Sequence, residues 1–189
     1  KGDQTYKLHL VPSGVLYADT TVILGSGMVI DPISLFDELD ELAANGIDWE
    51  GRVLVSDRAH IVVPGYRRQD VEQDRRREQP LGTTGRGIGV AYAMKAARDD
   101  VRICDMMEPT VTEALDAENR SFVNEVAPRL APMSVDLVEF MRHLQRSDHV
   151  LFEGAQGALL DLDQGTYPFV SSGHSADRKS TRLNSSHYS

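Results

Sequence analysis

The feature that most constrains this chain is a repeated switch of hydrophobic period. Short apolar runs of strand length alternate with longer runs at helical spacing. Val22-Ile23-Leu24 reads as a buried strand followed by the loop Gly25-Ser26-Gly27. Asp31 and Pro32 then supply an N-cap and a first helical residue. Leu35, Phe36, Leu39, Leu42 and Ala43 follow on one helical face, and Gly46 stops the helix. Arg52-Val53-Leu54-Val55-Ser56 and His60-Ile61-Val62-Val63 are two more strand candidates, and 6–12 alternates as another. A charged helix is expected over 66–79, with its arginines forming a solvated face, and a further helix from the loop at 82–87 to about Arg98. Helices are expected at 110–130 and 133–146, then a buried strand, His149-Val150-Leu151-Phe152, ending at Glu153-Gly154. Strands and helices in this order predict an α/β fold with a largely parallel β-sheet flanked by helices. Ligands of such sheets gather where strands end in loops, and the glycine-rich segments 82–89 and 154–157 are candidates for that place.

Bulk properties exclude several classes. The 189 residues are 41% hydrophobic and 26% charged, enough apolar material for one domain with a core. A formal charge of −9 argues against a general nucleic-acid binder but leaves room for a small anionic ligand. No apolar run is long enough to span a bilayer, and the polar start Lys-Gly-Asp-Gln-Thr does not read as a signal peptide. One cysteine, Cys104, permits neither an intrachain disulfide nor a cysteine metal cluster, which fits a reducing, cytoplasmic setting. Its neighbours Val101 and Ile103 suggest a small core residue. No histidine pair has metal-ligand spacing, and no metal site is assigned. The segment 177–189, with almost no apolar content, is expected to be a non-native tail to a domain at 1–176.

Three constellations carry chemistry. Gly82-Thr83-Thr84-Gly85-Arg86-Gly87-Ile88-Gly89 combines exposed backbone N–H groups, hydroxyls and a following helix N-terminus, a combination that binds phosphate. It lacks the Lys-Ser/Thr of a Walker loop, and a tight packing turn is the plainer alternative. Tyr92, Lys95 and Arg98 follow, with the two cations three residues apart on one helical face, either gripping an anion or simply exposed. Phe152-Glu153-Gly154-Ala155-Gln156-Gly157 offers a carboxamide that suits a purine edge, and 163–172 ends in the hydroxyls Ser171 and Ser172.

Together with Leu8-His9-Leu10-Val11-Pro12-Ser13-Gly14 and Gly165-Thr166-Tyr167-Pro168, these motifs resemble the adenylosuccinate synthetase family over about residues 5–172. The resemblance implies a P-loop-NTPase-like fold, truncated here at both ends, and a homodimer. It implies ligation of L-aspartate to inosine monophosphate (IMP) in AMP biosynthesis, with GTP and Mg²⁺. The γ-phosphoryl of GTP would pass to the 6-oxygen of IMP, and the aspartate amine would displace it. By motif position, Thr84 and Ser171 would hold the IMP phosphate, Ser171 replacing a threonine. Gln156 would contact the nucleotide, Arg98 would reach into the partner's IMP site, and Lys95 would be a catalytic or active-site residue.

There are departures. Val90 stands where the family usually has proline, and Gly173-His174-Ser175-Ala176 replaces an Asn/Thr/Gly-rich stretch. The family's Gly-Asp-Glu-Gly-Lys-Gly and Gly-His-Thr motifs, which supply a general-base aspartate and a general-acid histidine, do not occur among the 189 residues, nor does its C-terminal half. The chain alone is therefore expected to be inactive. The alternatives are a related phage-type enzyme acting on dGMP and a non-catalytic nucleotide-binding fragment.

Overall fold

The computed structural model describes residues 5–175, and the 177–189 segment lies outside them. Two compact units divide the chain, 1–150 and 151–189. Within the first, β1 (Val22–Leu24), β3 (Val53–Ser56) and β5 (Ser134–Val135) form a sheet in the order β1-β3-β5. A second sheet pairs β2 (Val29–Ile30) with β4 (His60–Ile61). Every one of these pairings is parallel. The helices are α1 (Pro32–Ala44), α2 (Pro64–Arg75), α3 (Ile88–Ala97), α4 (Pro109–Thr112), α5 (Ala117–Leu130) and α6 (Leu137–Arg142). The α/β expectation with parallel pairing holds.

Local chemistry explains the elements. The Asp31 carboxylate accepts from the N–H groups of Ile33 and Ser34 and so caps α1, with Pro32 at the first helical position. Leu35, Leu39 and Leu42, spaced by helical turns, are buried with Val22, Leu24, Val53 and Val55 of the sheet and Val123, Val126 and Leu130 of α5. Full burial of such aliphatic side chains contributes about 1.5–3 kcal/mol each. The helix ends at Gly46, whose φ of 78° is left-handed. Parallel β1 and β3 require a crossover between them, and α1 is its helix.

Four expectations are corrected. Residues 6–12 form no strand. The N–H groups of His9, Leu10 and Val11 donate instead to the buried Glu38 carboxylate of α1, at 2.8, 2.9 and 3.3 Å. A side chain thus supplies the acceptors that a neighbouring strand would have supplied. The helix expected over 133–146 is shorter. A 3-10 turn, Ala131–Met133, leads into β5, which takes the edge of β3, and Asp136 caps a new helix at Leu137. Residues 149–154 form no strand, and Leu151 and Phe152 are 89% and 83% exposed, because an apolar run becomes a strand only where a pairing edge meets it. Cys104 is exposed rather than in the core, since it opens a 3-10 turn, Cys104–Met107, after the inward-facing Val101 and Ile103. Partial burial and the Asp105 carboxylate push its thiol pKa up, away from nucleophile behaviour.

Replacing Glu38 tests the substitution of a carboxylate for a strand. Glu38→Ala leaves three N–H groups without an acceptor, and we expect a loss of about 1–3 kcal/mol in urea unfolding with an unchanged m-value. Glu38→Gln, which keeps one acceptor oxygen, should lose less.

Candidate functional site

The 82–87 loop connects α2, which ends at Arg75, to α3, which begins at Ile88, in line with the helices expected on either side of it, so the glycine-rich segment lies between two helices and not at a strand end. Two carboxylates on α2 set its shape. Asp74 accepts from the N–H groups of Leu81, Gly82 and Thr83 at 2.7, 3.1 and 3.4 Å. Asp70, 8% exposed, accepts from the Gly87 N–H at 2.9 Å. Gly87 then caps α3 in a left-handed conformation, φ 77°. A Cβ at Gly87 would lie 2.9 Å from backbone atoms of Tyr66 and Arg67, so α3 starts in direct contact with α2 and only glycine fits.

Thr84 lies exposed at the centre of this loop. Among the described residues, neither its hydroxyl nor the N–H groups of Thr84, Gly85 and Arg86 have hydrogen-bond partners. A groove of about 520 Å³ opens beside Gly85, lined by Arg67, Arg68, Val71, Glu72 and Arg75. Arg67 pairs with Asp31 and Arg68 with Glu118, so part of this cationic face is already neutralised within the fold. The loop can accept an anion: open N–H donors and a hydroxyl face solvent beside cationic side chains.

Lys95 is committed elsewhere. Its ammonium donates to the Ser26 and Gly27 carbonyls at 2.8 and 3.2 Å and sits 6.0 Å from the Tyr92 ring centroid. Burial lowers its pKa, with Asp100 acting in the opposite direction. Lys95 therefore stands over the loop that follows β1. Arg98 is not on the helix with Lys95, as expected, but is its left-handed C-cap, φ 66°, so the two cations leave α3 from different backbone geometries. Arg98 is exposed and its guanidinium has no partner among the described residues.

The second unit is organised by Asp161, which is 2% exposed and accepts from the N–H groups of Asp163, Gln164 and Ser175 at 3.0, 3.0 and 2.7 Å. A Cβ at Gly165 would fall 2.4 Å from the Leu159 carbonyl oxygen, which explains the glycine of its motif. Gln156 is exposed in a bend at φ 65°, its carboxamide turned to solvent, and no strand precedes it. The Ser171 hydroxyl donates to the Leu160 carbonyl at 2.9 Å, so holding a phosphate would require it to re-aim.

Sequence reasoning missed Asp70, Asp74 and Asp161 as organising groups. Two carboxylates at helical spacing just before a glycine loop were the available signal for the first two. It also missed a half-buried cluster in which Asp100 accepts from Tyr66 Oη at 2.8 Å and meets His60 Nδ1 at 2.9 Å. Burial lowers the His60 pKa against the pull of Asp100, and burial raises that of the Tyr66 phenol. No group of three or more His, Cys, Asp or Glu side chains among the described residues could hold a metal ion. They give Mg²⁺ no such cluster.

The adenylosuccinate synthetase family model matches residues 1–184. The chain is 43% identical to the adenylosuccinate synthetase of Moorella thermoacetica over 92% of its own length and 46% of that protein's. It is 40% identical to the one from Clostridium novyi, over 90% of this chain and 46% of the relative. The solved structure of a fully ligated adenylosuccinate synthetase from Plasmodium falciparum superimposes with a TM-score of 0.77 at 30% identity, over 93% of this chain and 46% of that one. The chain thus spans about half the length of the relatives it matches.

Gly87→Ala tests the packing of the loop on α2. The added methyl meets backbone and the left-handed φ disfavours it, so we expect a loss of roughly 1–3 kcal/mol, read from the shift of the thermal midpoint. A midpoint equal to that of the unsubstituted chain would contradict the contact.

Proposed function

The chain belongs to the adenylosuccinate synthetase family, and from that premise we propose that it is the IMP-holding part of a GTP-dependent ligase that joins L-aspartate to IMP. The fold agrees with the family's P-loop-type α/β architecture. The observation that carries the reading is the loop around Thr84, whose hydroxyl and neighbouring N–H groups are open to solvent between two fixed ends. Such a loop holds a phosphate through several aligned donors and sets the position of the attached nucleotide.

In this reading Thr84 binds the IMP phosphate, and Ser171, whose hydroxyl donates to the Leu160 carbonyl, keeps the phosphate-holding role that its motif position implies. Gln156 contacts the nucleotide. Arg98, exposed at the end of α3, reaches the IMP of a second copy in a homodimer, where its planar guanidinium suits phosphate. Lys95, held over the Ser26 and Gly27 carbonyls, is an active-site residue that fixes the loop after β1 and keeps a cation near it. Phosphorylation of the IMP 6-oxygen by GTP makes that oxygen a good leaving group for the aspartate amine. Mg²⁺ would neutralise charge on the transferring phosphoryl group. The described residues offer it no carboxylate cluster. No described helix is long and apolar enough to cross a membrane, and the low cysteine content agrees with a cytoplasmic setting.

Calorimetric titration of the chain with IMP and with inosine tests this reading. IMP should bind and inosine should bind at least about tenfold more weakly, since charge-assisted hydrogen bonds to the phosphate supply the difference. Thr84→Ala should remove most of that discrimination. Equal affinity for IMP and inosine would overturn the reading. Because the family's base and acid motifs do not occur in the chain, IMP, GTP and L-aspartate together should give no adenylosuccinate.

A further inference from the structure

The Thr84 loop is surrounded by an apparent contradiction. A phosphate site should repel carboxylates, yet two of them stand on α2 directly beneath it. Their hydrogen bonds resolve this. Asp70 and Asp74 lie four residues apart, so both project from one face of α2. Asp74 takes the N–H groups of Leu81, Gly82 and Thr83, before the centre of the loop. Asp70 takes the Gly87 N–H, after it. The N–H groups between them, of Thr84, Gly85 and Arg86, are without partners among the described residues. The donors are therefore divided. Those at the two ends are spent on the protein's own carboxylates, and those in the middle are left for a ligand.

We propose that Asp70 and Asp74 are the positioning residues of the phosphate loop, a two-carboxylate clamp that fixes its ends and presents the Thr84 segment to the phosphate. The proposal rests on the reading of this loop as the IMP phosphate site. The clamp carries an entropic advantage. A glycine-rich loop loses conformational freedom when it closes on an anion, and a loop already held at both ends has less to lose. The carboxylate charges are turned into the amides they bind, and of the arginines that line the groove beside Gly85, Arg67 and Arg68 pair with Asp31 and Glu118 while Arg75 has no partner among the described residues. Asp74 is thus a scaffold for the loop and not an internal competitor for the phosphate.

The test uses the 189-residue chain with Asp74→Ala, Asp74→Asn and Asp74→Glu, reading amide hydrogen exchange and IMP affinity together. In the unsubstituted chain the Leu81, Gly82 and Thr83 amides should be protected. In Asp74→Ala their exchange should quicken by about tenfold or more while the sheet amides stay unchanged, because a hydrogen bond to a charged group is lost. IMP affinity should weaken by about tenfold in the same variant, less in Asp74→Asn, and recover in Asp74→Glu. If Asp74→Ala fails to fold, the isosteric Asp74→Asn carries both readouts. Unprotected amides in the unsubstituted chain would overturn the clamp. Unchanged or tighter IMP binding by a folded Asp74→Ala would overturn its positioning role, tighter binding marking a competitor. The reading of the loop itself fails separately, through equal IMP and inosine binding by the unsubstituted chain.

Discussion

The structure depends on carboxylates that accept several backbone N–H groups from segments without a strand partner. Glu38 does this for 9–11, Asp74 for 81–83 and Asp161 for Asp163, Gln164 and Ser175. Irregular backbone near a core must find acceptors or lose the desolvation energy of each unpaired group. The strands among the described residues are short, two to four residues each, so ladders alone leave much of the backbone unserved. A carboxylate serves it, and where that carboxylate is buried, as at Glu38 and Asp161, the cost of placing charge in the interior is offset by the aligned N–H dipoles around it; Asp74 is half-buried.

The same device connects the fold to the proposed activity. The parallel β1-β3-β5 sheet and α1 form the core, and α2 packs on α3 beside the β2-β4 pair. The loop between α2 and α3 is then not free to wander. Gly87 presses α3 onto α2, Asp70 and Asp74 fix the ends, and Thr84 is left at the apex. Lys95, one side of α3 away, spends its ammonium on the Ser26 and Gly27 carbonyls and ties α3 to the loop that follows β1. The chain's overall charge of −9 matters little to an anion site of this kind, because the local donors decide.

Much of this was legible in the residues. The Asp31-Pro32 start and Gly46 stop of α1, the strands at Val22 and Val53, and the parallel pairing all follow from period and capping. The glycine loop and Thr84 were legible as a phosphate-type segment, and the motif set pointed to the family that the comparisons show. Other features were not, for physical reasons. Whether 6–12 or 149–154 pairs as a strand depends on a distant acceptor or edge, and sequence period does not carry that. Arg98 read as helical because three-residue spacing is helical, but the residue that ends a helix often leaves it in the left-handed region, and glycine is only the commonest to do so. Asp70 and Asp74 were hidden in a charged run whose arginines dominate the eye, and only the folded loop reveals what those two carboxylates hold.

Amide chemical shifts of the chain, followed by NMR during an IMP titration, distinguish the loop donors left open for a phosphate from those held by Asp74. The largest shifts are expected at Thr84, Gly85 and Arg86, with Leu81, Gly82 and Thr83 changing little because they remain on Asp74. The largest shifts at Leu81, Gly82 and Thr83, or shifts that spare the loop altogether, would contradict it.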